Sequence, residues 1–277
     1  MVMTPKQAEI LTAQMLIPFS DEPKSEAKYI VAHLAECEPS QIILSNKEIS
    51  KAQIEQIVLK RRQGIPLQYI LGRWWFYKSE FLVGEGVLVP RQDTETLVEA
   101  ALELIRDIKA PRVCDLCSGS GCIAISIAGD RQDATVTAVE KYPAAYSYLE
   151  QNIKLNNASN VTPKLYDVLN EPFGKYNLIV CNPPYIPRGD EKELSKEVLN
   201  EPHTALFGGE DGLYFYREIS KNWKQSLVSG GILAFEVGIN EAAAVAEILK
   251  TNGFTNIGFK NDLIGIQRVV FGTANNV

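Results

Sequence analysis

Beyond Pro111 the chain alternates short apolar runs with helical segments, and this alternation limits the folds open to it more than any other feature. Arg112–Leu116 reads as a strand, residues 123–128 as a helix, 135–139 as a strand and 144–155 as a helix. Further strands are expected at 161–166, Tyr176–Cys181 and 232–237, with helices around 213–227 and 241–250. Strands separated by helices pair in parallel, and the helices cover both faces of the sheet they form. The last two β segments, 254–259 and 266–271, are joined without a helix and should therefore pair antiparallel. No internal repeat interrupts the pattern.

The first 65 residues follow a different rule. Ala27, Ile30, Val31 and Leu34 recur at helical spacing, as do Ile54, Ile57, Val58 and Arg61 less cleanly, until Gly64 and Pro66 stop the pattern. A small helical bundle of this kind offers no catalytic residues; it is either a packing appendage or a docking surface for a macromolecular substrate. The run Lys60-Arg61-Arg62 reads as a solvated helix end, where cations suit the macrodipole. From residue 73 to 89, Trp74 to Tyr77, Phe81-Leu82-Val83 and Val87-Leu88-Val89 are broken by Gly84 and Gly86, which suggests a β-hairpin connector. Its four adjacent aromatics are expected to pack between the two modules; they lack the interleaved basic residues of a nucleic-acid stacking platform. Pro90 ends the connector, and Asp93 is the expected N-cap of a helix running to about residue 108. The expected division is a helical docking domain at 1–72, a connector at 73–90 and a catalytic domain at 91–277.

Composition excludes several classes. A net charge of −6 argues against a chain built to lie along a polyanion, so no direct nucleic-acid binding is expected. No stretch approaches the ~20 apolar residues that span a bilayer, and the N-terminus lacks the plan of a signal peptide. Five cysteines at irregular spacing suggest no disulfide framework, so a cytoplasmic, reducing location is expected. Only His33 and His203 are present, with no His-x-x-His and no pair of Cys-x-x-Cys units, which disfavours a metal site and a Ser-His-Asp hydrolase.

Asp115-Leu116-Cys117-Ser118-Gly119-Ser120-Gly121 follows an expected strand and opens a helix. Its glycines permit a tight turn and a close approach of ligand to backbone. No Lys-Ser or Lys-Thr follows, so it is not a Walker loop, and Ala124 stands where a dinucleotide fold would place its third glycine. Glu140 ends the next strand, where a carboxylate can accept both hydroxyls of a ribose. A ribose without a pyrophosphate suits an adenosyl group carrying a small zwitterion, and S-adenosylmethionine fits that description. Asp167, ending the third strand, is placed either to meet the adenine amino group or to cap a turn, and Val168 to pack on the ring.

Asn182-Pro183-Pro184-Tyr185 follows the apolar run Leu178-Ile179-Val180-Cys181. Ligands of open α/β sheets sit beyond the carboxyl ends of the strands, which brings this motif to the adenosyl pocket. A proline restrains the residue before it to extended backbone, and neither proline has an N–H. The Asn182 side chain and the Pro183 carbonyl can then accept the two hydrogens of an NH2 group, with the Tyr185 ring against the planar group that carries it. Orientation is what an amide nitrogen, a poor nucleophile, most requires; in-line geometry can supply ~7–11 kcal/mol of a barrier.

With these residues in place the chain resembles the release-factor glutamine N5-methyltransferases, which methylate the glutamine of the Gly-Gly-Gln tip of peptide chain release factors. The resemblance runs through residues 66–72, 89–99, the glycine turn, 182–186, Glu201-Pro202, 209–213 and Glu236-Val237-Gly238. It implies a class I S-adenosylmethionine-dependent methyltransferase fold: a mostly parallel seven-stranded sheet ending in an antiparallel hairpin, helices on both faces, with a small N-terminal helical domain. It further implies that Cys117 to Gly121, Glu140, Val168 and Asn182 line the cofactor site, and that Asn182 to Tyr185 hold the glutamine amide. The catalytic motif is shared with adenine-N6 DNA methyltransferases and with enzymes acting on a ribosomal-protein glutamine; the segment Asp93-Thr94-Glu95 separates the release-factor reading from both. Cys117 stands where the family commonly has glycine, and Val168 where an aromatic is frequent. Cys114, Cys117, Cys122 and Cys181 should gather near the carboxyl ends of neighbouring strands as small core residues; were Cys117 exposed beside the cofactor, alkylation there would inhibit and cofactor would protect.

Overall fold

The computed structural model describes residues 1–275, in two compact units: residues 1–72 with 195–200, and residues 73–194 with 201–275. In the first, Thr4 caps a helix, its hydroxyl accepting from the Gln7 N–H. The unit holds β1 (Val2–Met3), α1 (Pro5–Leu16), α2 (Pro23–Ala35), β2 (Ile49–Ser50), α3 (Lys51–Arg62) and α4 (Leu67–Leu71), with β1 and β2 antiparallel. Ala27, Ile30 and Val31 from α2 meet Ile54, Ile57 and Val58 from α3 in its core.

The basic run at the end of α3 differs from expectation. Lys60 and Arg62 are exposed, but Arg61 is 6% exposed. Its guanidinium donates to both Glu26 oxygens at 2.8 and 2.7 Å, to Glu197 at 3.1 Å and to the Ile65 carbonyl at 2.6 Å. Helical period explains this: Arg61 continues the stripe of Ile54, Ile57 and Val58 and is carried inward. A buried cation then needs carboxylates and carbonyls to replace water. Glu197 belongs to the 195–200 segment, which is also held by the Asn200 side chain donating to the Gly64 carbonyl at 3.0 Å.

The second unit opens with the antiparallel pair β3 (Arg73–Phe76) and β4 (Ser79–Leu82). Its aromatics serve this unit's own core. Phe76 is buried and meets Phe81 edge to face at 6.1 Å, Tyr77 donates to Asp130, and Trp75 remains 56% exposed. The elements that follow are α5 (Glu95–Leu104), β5 (Arg112–Leu116), α6 (Cys122–Asp130), β6 (Thr135–Glu140), α7 (Pro143–Leu155), β7 (Val161–Leu165) and β8 (Tyr176–Cys181). Then come α8 (Lys196–Leu199, within the first unit), α9 (His203–Leu206), α10 (Tyr214–Asn222), β9 (Leu227–Glu236), α11 (Ala242–Thr251), β10 (Phe254–Asn261) and β11 (Gln267–Ala274). Asp93 does not cap α5. A 3-10 turn at Gln92–Thr94 precedes the helix, which stops at Leu104, and the Asp93 carboxylate instead pairs with Arg268 of β11 at 2.7 Å. That partner is distant in sequence, so a local capping rule could not anticipate it.

The seven strands lie in the order β10-β11-β9-β8-β5-β6-β7, the first pairings antiparallel and the rest, from β9 onward, parallel. The expected antiparallel end is present. Leu178 and Val180 of β8 enter a core shared with α5, α6 and α7, while Ile179 and Cys181 face α10 and α11 on the other side. Both faces are thus buried, as a parallel sheet requires. The chain runs outward from β5 through β6 to β7, then returns to β8 on the opposite flank of β5. Connections leave in opposite directions at this switch point, opening a crevice at the carboxyl ends, where Leu116 pairs with Cys181. No helix among the described residues is long and apolar enough to cross a membrane.

Candidate active site

The glycine turn lies at the mouth of this crevice. Cys117, Gly119 and Gly121 all have positive φ, at 61°, 55° and 83°. Gly121 shows why a side chain is excluded: a Cβ there would stand 2.4 Å from Leu149 Cδ1, so α6 could not lie against α7. The Ser118 hydroxyl donates to the Asp115 carbonyl, and the Ser120 carbonyl accepts from Asn152 at 2.9 Å. Asp115 beneath the turn is fully buried. Its Oδ2 accepts from the Ala124 N–H at 3.2 Å while its Oδ1 has no partner. Burial lifts its pKa to about 7, against hydrogen bonds from Ser118 and Ala124 that lower it.

Glu140 closes β6 beside the turn. Its oxygens accept from the Gly119 N–H at 2.9 Å and the Tyr142 N–H at 2.8 Å. Burial raises its pKa, opposed by those amides. Asp167, in contrast, is held in its ionised form: burial raises it, but Lys141 at 2.8 Å and the Leu169 N–H together outweigh that effect. Asp167 therefore does form a turn, while still lining the crevice. Val168 lines it too and fixes its backbone by accepting from the Trp223 indole at 2.8 Å.

Asn182 begins the loop after β8. Its Nδ2 donates to the Thr94 hydroxyl at 3.3 Å, which leaves Oδ1 as the end free to accept. The loop backbone is clamped from behind. Ile186 donates to the Leu206 carbonyl and its own carbonyl accepts from Gly208, forming a parallel bridge to Phe207. Gly212 sits at φ 77°, and a Cβ there would meet the Tyr185 carbonyl at 2.2 Å. Tyr185 packs against Gly238, and burial pushes its phenol up to about 12.

These residues surround one cleft of about 940 Å³, open to solvent. Cys117, Ser118, Gly119, Ser120, Glu140, Asp167, Val168, Asn182 and Pro184 line it; Gly121, Pro183 and Tyr185 adjoin lining residues in the chain without being among them. Arg91 lines it as well. Its guanidinium pairs with the buried Glu201, whose carboxylate also accepts from the Val89 N–H, and it forms no side-chain cap on the following turn. Cys114, Cys122 and Cys181 are buried, and burial raises all three thiols; Cys117 alone of this group is partly exposed.

Two residues of the site carried no sequence signal of their own. Thr94 accepts from Asn182, and Glu236, at the end of β9, is buried nearby: burial lifts its carboxyl to about 7, while Thr94, Arg268 and Asn182 lower it. Both fall inside expected secondary-structure elements, and only the resemblance attaches them to the function.

Residues 10–72 match the PrmC N-terminal domain and residues 92–213 the Methyltransferase small domain. The release factor glutamine methyltransferase of Thermodesulfovibrio yellowstonii is 38% identical over 253 residues, 88% of this chain and 90% of that protein. That of Fusobacterium nucleatum is 42% identical over 229 residues, 81% of this chain; the match spans 64% of that relative's length. Among solved structures, the hMettl16 catalytic domain in complex with the MAT2A 3'UTR hairpin 6 is 15% identical, with a TM-score of 0.58 over 93% of this chain and 84% of that one. At that identity the likeness bears on the fold alone. On the strength of its sequence relatives, the chain belongs to the release factor glutamine methyltransferase family.

Proposed function

We propose that this protein transfers a methyl group from S-adenosylmethionine to the side-chain amide nitrogen of the glutamine in the Gly-Gly-Gln motif of peptide chain release factors. The observation that carries the reading is the orientation of Asn182, whose amide NH2 is tied back to Thr94 so that Oδ1 serves as the acceptor. A planar NH2 group entering the cleft would place one hydrogen on Asn182 Oδ1 and the other on the Pro183 carbonyl. The backbone of residues 184–186 is held by residues 206–212, so these acceptors keep their places without the substrate.

The cleft fits the methyl donor. Glu140, buried and already fixed by two backbone amides, presents a carboxylate to a ribose; Val168 offers an apolar contact to a base, and Asp167 an acceptor for an amino group. Cys117 to Gly121 form the turn that lets an adenosyl group lie close to the backbone. When bound, S-adenosylmethionine supplies an electrophilic methyl group on a sulfonium that departs as a neutral thioether. The amide needs no strong base, because its nitrogen becomes acidic only as it gains the methyl carbon; among the described residues no histidine lines the cleft. Five unpaired thiols suit a reducing compartment such as the cytoplasm.

The test is intact-mass measurement of a release factor after incubation with the protein and S-adenosylmethionine. One methyl group should be gained on the Gly-Gly-Gln glutamine, and Asn182→Ala should abolish the gain while cofactor still binds. Methylation of a ribosomal protein or of duplex DNA with none on the release factor would replace this reading with one of its neighbours.

A further inference from the structure

Glu236 follows Phe235, the β9 residue paired with Cys181, and so ends its strand beside the residue that opens the catalytic loop. It is 3% exposed, and its Oε2 accepts no hydrogen bond. A carboxyl removed from water without a full set of donors is destabilising, and an apolar side chain of the same size would remove that penalty. Its neighbours indicate what it does. Thr94 and Asn182 stand close enough to lower its pKa, and Asn182 Nδ2 donates to the Thr94 hydroxyl at 3.3 Å.

An asparagine amide has two ends of similar shape and opposite polarity. Turned over, Asn182 would present NH2 to an incoming NH2, and the site would repel its own substrate. A carboxylate can only accept, so it distinguishes the two orientations. We propose that Glu236 is a positioning residue: its carboxylate takes hydrogen bonds from the Asn182 NH2 and the Thr94 hydroxyl, and so keeps Asn182 Oδ1 aimed into the cleft. The inference rests on the amide-transfer reading above and adds to it the group that sets the polarity of the acceptor.

The arrangement makes orientation depend on protonation. Burial holds the Glu236 carboxyl at about 7, with Thr94, Arg268 on β11 and Asn182 lowering it and Asp93 raising it. The other titratable groups that feel its charge are Tyr185 in the loop, Cys122 at the start of α6 and Tyr216 on α10, all raised by burial and neutral where Glu236 ionises. Once protonated, Glu236 can donate to Asn182 Oδ1 and stabilise the turned-over amide.

The experiment measures methylation of a release factor by the full chain between about pH 6 and pH 9, reading kcat and KM separately. Wild-type kcat should climb with pH through a midpoint near 7. In Glu236→Gln, kcat should fall by about 10- to 100-fold and lose that limb, while KM for the release factor and calorimetric affinity for S-adenosylmethionine stay within about twofold. Wild-type kcat and pH profile in a folded Glu236→Gln would overturn the proposal. Should that variant not fold, Thr94→Val removes the bridging hydroxyl at nearly constant shape; an unchanged kcat and profile there would overturn it equally. If the wild type leaves release factors unmethylated but methylates another NH2-bearing substrate, the proposed substrate fails, and the same comparison on that substrate still decides the role of Glu236.

Discussion

Replacing Glu236 by glutamine should make the second unit more stable at alkaline pH while making the enzyme worse. In the unfolded chain this carboxyl ionises near its ordinary value of 4.5; in the fold it does so at about 7. Between those values the unfolded chain has released a proton that the folded chain retains. The stabilising contribution is therefore complete below 4.5 and is lost as pH rises through 7. At ~1.36 kcal/mol per pH unit the loss comes to about 3 kcal/mol, a sizeable share of the ~5–15 kcal/mol that holds a domain together. Glutamine keeps the shape and cannot ionise, so the loss disappears with the substitution. Denaturant unfolding at about pH 5 and pH 8 tests this, read by tryptophan fluorescence. Trp74, Trp75 and Trp223, the only tryptophans, all lie in the second unit, so the signal follows the unit that contains Glu236. The stability of Glu236→Gln relative to wild type should improve by about 2–3 kcal/mol from the lower pH to the higher. Asp115, which also titrates at about 7, is common to both proteins and cancels. Equal dependence on pH in the two proteins would refute a Glu236 whose ionisation is shifted upward by burial in the folded site.

Three further outcomes are expected. Gly212→Ala would drive a Cβ to 2.2 Å from the Tyr185 carbonyl at a φ of 77°, a strain of about 1–3 kcal/mol; methyl transfer should drop sharply with cofactor affinity retained, and an active Gly212→Ala would contradict the clamp. Arg61→Ala leaves Glu26 without its buried partner and should lower the stability of the first unit by about 3–5 kcal/mol; hydrogen exchange across α2 and α3 would show it, and unaltered protection there would count against the ion pair as a core element. Alkylation of Cys117, the partly exposed thiol of the cleft, should inhibit and be slowed by S-adenosylmethionine, whereas Cys37 should react at the same rate with or without it; labelling of Cys117 without loss of activity would remove it from the site.

The sheet was legible because apolar runs and helical periods are local properties. Arg112–Leu116 and Tyr176–Cys181 were read at their observed limits, since each is a short apolar run bounded by turn residues. Misreadings arose where a distant partner decides the matter. Asp93 looks like a helix cap until Arg268 appears beside it, and Arg61 looks like a solvated helix end until Glu26 and Glu197 surround it. The cleft residues were legible by the same logic in reverse. The carboxyl ends of parallel strands gather in one place, so Glu140, Asp167 and Asn182 could be brought together from strand positions alone. Glu236 also ends a strand, yet nothing local separates a buried carboxyl that holds a neighbour from one on a solvated turn. Cys117 is a milder case: a side chain at φ 61° is visible only in the backbone, although its place within a glycine turn hints at it.

The segment Asp93-Thr94-Glu95 now has a physical role in addition to its diagnostic value. Asp93 binds Arg268 of β11, Thr94 receives the Asn182 amide, and Glu95 accepts from the Tyr77 N–H between β3 and β4. Only Thr94 of the three lines the cleft. The segment therefore ties the last strand, the catalytic loop and the hairpin to the first turn of α5. Residues can separate substrates without touching them, by fixing how the groups that do touch them are turned. On the proposed reading, Asn182 to Tyr185 can hold any planar NH2 group. Which one reaches the methyl donor would then depend in part on how rigidly Asn182 is oriented, and Thr94 bears on that through its hydrogen bond to the Asn182 amide. Exchanging residues 93–95 alone should alter kcat through the orientation of Asn182 before it alters affinity for the cofactor, whose proposed ribose partner, Glu140, ends β6, on the side of β5 away from β8.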